Sequence, residues 1–296
     1  MVWHAFLLNP HDYDEACRRD NLRCIYELGF PWQAVHAALD RKNWKYTLPL
    51  PSGDWARERA NMEPDLYDFL SCGSKMPSKM SAVLARYGAV QPGRPIFSRD
   101  EVLDTEGLNS HDKAFLVMLQ QIVLDTNAIA PLVGNVYRQA SFVDKMHAQL
   151  WIRSPAVEGT LRRAGDRYDK FLRLFQLYPG RMLVPTLDID IMWHTHQCSA
   201  AGYRYSVKAR TGVFINHDDK VGQSTLKGGL QVTKERFLLR FGEDYEKCLC
   251  WECEAIASAL EEYDAGGGPG NLDILSEKVR ETVEYHRAVE TCRQRG

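Results

Sequence analysis

Between Ser154-Pro155 and Pro179-Gly180, apolar side chains return at three- and four-residue steps: Val157, Leu161, Ala164, Tyr168, Leu172 and Phe175. That step matches the 3.6-residue turn of an α-helix and gathers these side chains on one face. A serine hydroxyl before a proline is a helix start, and Pro-Gly is a stop. Such a helix is held by burying its stripe, so the chain must supply other elements to cover it. Most of the remaining sequence also reads as helix. Residues 12–28 and 32–39 are predicted helices separated by Gly29-Phe30-Pro31. After the loop at residues 49–53, Asp54 is the expected cap of a helix reaching about residue 71, and residues 78–87 form a shorter one. Asn109 and Ser110 can cap a stripe of Phe115, Leu116, Leu119 and Ile122, and a further segment centres on residues 142–151. Val213-Phe214-Ile215 is the single short strand expected. The predicted fold is mainly α, a helical bundle with little or no β-structure, built as one large bundle or as two helical lobes.

Two breaks suggest the organisation. Residues 88–99 carry Pro92, Gly93 and Pro95, and Gly266-Gly267-Gly268-Pro269-Gly270 reads as a tether before a last helix from Leu272 to about Cys292. The expected regions are an N-terminal helical region at 1–90, a helical domain at 100–263, and a tether with a C-terminal helix at 264–296. With 45% hydrophobic and 26% charged residues, the composition is that of a globular chain. A formal charge of -2 argues against a polyanion binder held by bulk charge. Arg138, Arg162, Arg163 and Arg167 could surround a small anion, and the 162–173 face is a third, lesser reading as a nucleic-acid surface. No apolar run reaches the roughly 18 residues of a membrane helix, the start lacks the basic and apolar regions of a signal peptide, and eight cysteines without such a signal fit a reducing interior. The expected setting is cytoplasmic, with a small-molecule substrate, no membrane, and nucleic acid disfavoured.

The densest chemistry lies in Val184-Pro185-Thr186-Leu187-Asp188-Ile189-Asp190-Ile191-Met192-Trp193-His194-Thr195-His196-Gln197, followed later by His217-Asp218-Asp219. Imidazole and carboxylate together are the ligands of divalent transition metals or the partners of acid–base catalysis. A helix starting at Pro185 or Thr186 and stopping at Gly212, with an interruption at Gly202, places Asp190 and His194 on one face. It puts His194 and His196 about 200° apart. An extended segment would instead pair those two histidines. On the helical reading Asp190, His194 and His217 are the candidate metal ligands. Asp218 or Asp219 is a fourth ligand or base, and His196 an orienting or acid–base partner. The ion would be iron, copper, manganese or zinc. The plainer alternative is a structural Asp190–His194 pair, a core His196, and Asp218-Asp219 as a cap.

A second cluster, Cys248-Leu249-Cys250-Trp251-Glu252-Cys253, offers three thiols within six residues. Read as helix, it puts Cys250 and Cys253 on one face and Cys248 elsewhere, and a four-ligand zinc site would need Cys198, His217 or Cys292. Small buried side chains are the simpler reading. His111-Asp112 and His147 read as packing or surface groups. Gly-x-Gly-x-x-Gly, P-loop, Gly-x-Ser-x-Gly and His-Glu-x-x-His patterns are absent.

The run from Val184 to Asp190, the Trp193-His194-Thr195-His196-Gln197 stretch, Tyr203, His217-Asp218-Asp219 and Phe241-Gly242-Glu243-Asp244-Tyr245 together resemble the glycine-rich domain-containing protein family, as do Phe171-Leu172 and Pro179-Gly180. The resemblance covers roughly residues 110–245. It implies a domain whose plant members are associated with growth and stress responses, and it assigns no reaction. The chain reads as a short form without the extended glycine-rich tail, so no role of such a tail is carried over. The residues themselves point to a metal-dependent enzyme acting on a small molecule by hydrolytic or oxygen chemistry. The rival reading is a non-catalytic scaffold or regulatory interaction domain.

Overall fold

The computed structural model describes residues 2–19, 21–40, 45–58, 126–218, 220–266 and 271–295, and the single positions 64, 107, 108, 110, 113, 116 and 117. Among the described residues there are twelve α-helices and no strand, so the chain is mainly α-helical as expected. The one β-type pairing among them is an isolated antiparallel bridge between Leu39 and Tyr46. Residues 213–215 do not form the short strand expected of them. The Phe214 carbonyl accepts from the His11 ring (3.0 Å) and the Ile215 carbonyl from the Tyr203 hydroxyl (2.9 Å), so side chains take the place of a neighbouring strand.

Contacts divide the chain into two units, Pro31–Gly134 on the one hand and Met1–Phe30 with Asn135–Gly296 on the other. In the first, α4 is Trp32–Ala37 and α5 is Leu50–Glu58. Helix α5 starts four residues before the expected Asp54 cap, within the stretch read as a loop. The continuation to residue 71, the 78–87 helix, the 88–99 connector and His111-Asp112 lie outside the described residues. So does most of the 109–122 helix.

The second unit holds α1 (Val2–Leu7), α2 (Pro10–Arg19) and α3 (Arg23–Glu27). The single helix expected over 12–28 is broken, because Asn21 takes a left-handed φ of 52° and the Leu22 N–H returns to the Cys17 carbonyl. Asparagine is among the few residues that adopt this conformation cheaply at a helix end. Helix α6 (Thr126–Gln149), of which residues from Asn135 belong here, leads through a 3₁₀ turn at Trp151–Arg153 into α7 (Val157–Leu177). The Ser154 hydroxyl accepts from the Ala156 N–H, so the Ser-Pro start acts one step ahead of the helix. Next come α8 (Leu187–Gln197), α9 (Ala200–Thr211), α10 (Gln223–Phe241), α11 (Trp251–Asp264) and α12 (Leu272–Arg295).

The stripe on α7 is the floor of the core. Ala164, Tyr168 and Leu172 are buried, while Leu161 remains 39% exposed. Phe171 and Leu174 join them, packed with Ile189 and Trp193 of α8, Tyr203 and Val207 of α9, and Phe237 of α10. Complete burial of Phe171, Leu172 or Ile189 is worth roughly 1.5–3 kcal/mol each. The α8–α9 break falls at Cys198-Ser199 and not at Gly202, which lies inside α9. Gly212, with φ 82°, ends α9 as expected of a left-handed glycine stop.

One polar network crosses this core. The buried Arg167 of α7 donates through Nε to Asp188 Oδ2 (2.5 Å), and through Nη2 to Thr186 Oγ1 (3.1 Å) and the Tyr245 carbonyl (2.7 Å). The Thr186 hydroxyl in turn donates to Asp188 Oδ1 (2.6 Å). These bonds fix the first turn of α8, which carries Asp190.

Candidate metal centre

Asp190 and His194 sit one turn apart on α8 and therefore face the same way, as the helical reading requires. His217 reaches them from the loop after α9. That loop is pinned at several points. The Trp193 indole donates to the Tyr203 hydroxyl (2.8 Å), which donates to the Ile215 carbonyl (2.9 Å). The His11 N–H donates to Asn216 Oδ1 (3.3 Å), and Lys220 pairs with Asp12 (3.3 Å). Trp193 also lies edge-on to the His217 ring, with centroids 4.9 Å apart.

Three donor atoms meet as a result. His217 Nε2 lies 3.2 Å from Asp190 Oδ1 and 3.2 Å from His194 Nε2, and His194 Nε2 lies 3.5 Å from Asp190 Oδ1. A tetrahedral ion bound at 2.0–2.1 Å separates its ligand atoms by about 3.3 Å. The triangle thus has the size of a coordination face. Its side chains are 5% (His194), 12% (His217) and 21% (Asp190) exposed. Asp190 is the most exposed side chain of the three.

The electrostatics suit ligation. Burial lowers the His194 pKa to about 4; the neighbouring His217 and His4 add to this and Asp190 opposes it. Burial by itself would raise the Asp190 carboxyl, but the His217 hydrogen bond and the charges of His194, His217 and Lys145 outweigh it, and the net shift is downward. A neutral imidazole and an ionised carboxylate are the forms that bind cations. Without a cation, one shared imidazole proton can bridge the triangle, and a bound ion would replace it.

A pH dependence follows for the metal-free protein. In the unfolded chain His194 takes its proton near 6.5, and in the native state only near 4. Stability from this group is complete above pH 6.5 and falls away as pH drops toward 4, by up to about 3 kcal/mol. Urea midpoints of chelator-treated protein should fall over that window, and the fall should be shallower in His194→Gln.

Other candidate residues go elsewhere. His196 Nδ1 lies 3.0 Å from the Tyr168 hydroxyl and its ring is edge-on to Tyr203, on a different face of α8. Burial, then the charge of Arg210, lowers its pKa against the pull of Asp169. Asp218 is exposed and accepts the Lys220 N–H (2.9 Å). Asp219 lies outside the described residues. Among the arginines, Arg167 is buried against Asp188, Arg163 pairs with Glu254 and Glu261, Arg162 pairs with Glu261, and Arg138 bonds Asn135. His147 is exposed on α6.

Sequence reasoning missed three neighbours of the centre. The Phe142 ring covers His194 at 4.3 Å between centroids, Lys145 bears on Asp190, and His4 of α1 bears on His194. Phe142 and Lys145, three apart, share a face of α6, a spacing equally expected of any packed helix. His4 carried no signal at all.

Tyr203 makes the centre's support testable. Tyr203→Phe leaves the Trp193 N–H and the Ile215 carbonyl without their shared partner, at a cost of about 1–3 kcal/mol. It should also weaken cation binding by roughly 10-fold or more, as loss of outer supports generally does. Thermal melts and metal titration check the two effects.

Residues 108–205 match the family model described as Glycine-rich domain-containing protein-like. The family resemblance read from the motifs is thus shown. Glycine-rich domain-containing protein 1 of Arabidopsis thaliana is 32% identical over 155 residues, which cover 49% of this chain and 18% of that protein. Glycine-rich domain-containing protein 2 of the same plant is 34% identical over 95 residues, covering 29% of this chain and 12% of that protein. The chain therefore spans less than a fifth of the length of the curated relatives it matches. No solved structure matches it. The match to the family model includes Asp190 and His194 and ends before His217.

Proposed function

We propose that the chain is a metal-dependent enzyme acting on a small molecule, with one divalent transition metal held by Asp190, His194 and His217. The observation that supports this reading is the donor triangle with edges of 3.2, 3.2 and 3.5 Å. Two imidazoles and one carboxylate on one side of an ion leave its other positions open. An ion so held polarises a bound oxygen or lowers the pKa of a bound water, which serves hydrolysis, and iron in such a set serves oxygen chemistry. This chain's residues hold the ligands in place: Arg167 through Asp188 and Thr186, and Trp193 through Tyr203. No helix among the described residues is long and apolar enough to cross a membrane. We assign the setting as cytoplasmic on the cysteine usage.

The test is to load chelator-treated protein with Fe2+, Mn2+, Cu2+ or Zn2+ and assay oxygen uptake and the hydrolysis of model esters and phosphomonoesters. Metal-dependent turnover lost in His217→Ala supports the proposal. A second reading is favoured by the low exposure of His194 and the Phe142 ring over it. In that case the ion, or the shared proton, cross-links α8 to the 213–218 loop of a regulatory or scaffold domain. Tight metal binding without turnover, and a large fall in melting temperature on chelation, would favour it.

A further inference from the structure

Helix α11 does not begin early enough to contain all three clustered cysteines, and the difference changes their geometry. Cys248 lies in the preceding loop, Cys250 is the extended residue just before the helix, and Cys253 is in its first turn. The chain bend brings all three Sγ atoms within 4.8 Å of one another, with Cys248 and Cys250 sulfurs 3.5 Å apart. The separation of Cys248 from the other two, expected of a continuous helix, does not occur. Thiolates bound to one ion at about 2.3 Å lie about 3.8–4.0 Å apart.

The residues between the cysteines are anchored, which leaves the sulfurs facing outward as a fixed set. The Trp151 indole donates to the Leu249 carbonyl and the Trp251 indole to the Gln149 carbonyl, both at 2.9 Å. Trp251 is 4% exposed, and the Arg287 guanidinium lies over its ring. Glu252, the carboxylate closest in sequence, is held by a two-point pairing with Arg287 at 2.8 and 2.9 Å. The three sulfurs are the group whose ligand atoms all lie within reach of one another, and the Glu252 carboxylate also bonds the Cys250 thiol.

We propose that Cys248, Cys250 and Cys253 bind one soft d¹⁰ cation through three thiolates, at a site independent of the Asp190–His194–His217 centre. Cu+ would be satisfied by the three sulfurs, and Zn2+ would add water as its fourth ligand. Binding forms three metal–sulfur bonds and releases to solvent the protons that the thiols still carry.

The test uses the 296-residue chain carrying His217→Ala, so that the first centre does not contribute. Under reducing conditions it is titrated separately with Cu+ and with Zn2+ against a chromophoric chelator. The expected result is one equivalent of at least one ion per chain. Cys250→Ser should lower that affinity by roughly 100-fold or more, beyond the 10–100-fold typical of outer supports. In parallel, the three thiols of the unsubstituted chain should react with iodoacetamide more slowly once the ion is added, a readout that needs no variant to fold. No binding of either ion, equal binding by Cys250→Ser, or unchanged alkylation with the ion present would each overturn the proposal.

Discussion

Replacing Arg167 by alanine should destabilise the protein by about 3–5 kcal/mol, the cost of leaving a buried partner charge unpaired. Asp188 is 1% exposed and its Oδ2 depends on Arg167, while the Tyr245 carbonyl and the Thr186 hydroxyl would each lose a donor as well. A buried ion pair need not add net stability, because both charges were taken out of water to form it. The expected loss comes from breaking the pair, so the paired substitution Arg167→Met with Asp188→Leu should recover much of it. Urea denaturation of the three proteins distinguishes the cases. A loss below about 1 kcal/mol in Arg167→Ala would mean that Asp188 does not depend on this pair and that the network does not fix α8.

Replacing His217 by alanine should abolish tight cation binding while altering the metal-free fold little. The cation stabilises only the state in which its three ligands meet, so at 100 times its Kd it should add about 2.7 kcal/mol to the unsubstituted protein. His217→Ala should gain almost none of that. His217 lies on a loop held by Tyr203 and His11 through the Phe214 and Ile215 carbonyls and the Asn216 side chain, so its own side chain can be removed without releasing the loop. Thermal melts with and without Mn2+, Zn2+ or Fe2+ measure the difference. An equal rise in both proteins would place the cation elsewhere.

Much of the helical pattern was legible because burial imposes it. The α7 stripe, the Gly212 stop and the shared face of Asp190 and His194 follow from periodicity and from the φ that glycine tolerates. Breaks set by single residues were not. Asn21 turning left-handed and the α8–α9 break at Cys198 leave no periodic signature, and a helix starting at Leu50 runs through Pro51 and Gly53, which read as loop. The metal candidates could be listed from residue type and spacing, since a helix brings residues four apart together. That His217 would close the triangle depended on tertiary contacts, the Trp193–Tyr203–Ile215 chain above all. His196 shows the same limit from the other side: its residue type suited the centre, yet helical rotation turns it to Tyr168. The meeting of the three cysteines is not legible in the sequence, because periodicity carries a helix across Cys248 and Cys250 whereas α11 starts only at Trp251.

The most direct measurement is X-ray absorption at the metal edge of a chain in which Cys248, Cys250 and Cys253 are all serine. After titration to one equivalent of Fe2+, Mn2+, Cu2+ or Zn2+, a centre at Asp190, His194 and His217 should retain the ion stoichiometrically, with nitrogen and oxygen neighbours and the scattering of two imidazoles, lost in His194→Ala. Failure to retain any of the four ions, or the same spectrum from His194→Ala, would contradict it.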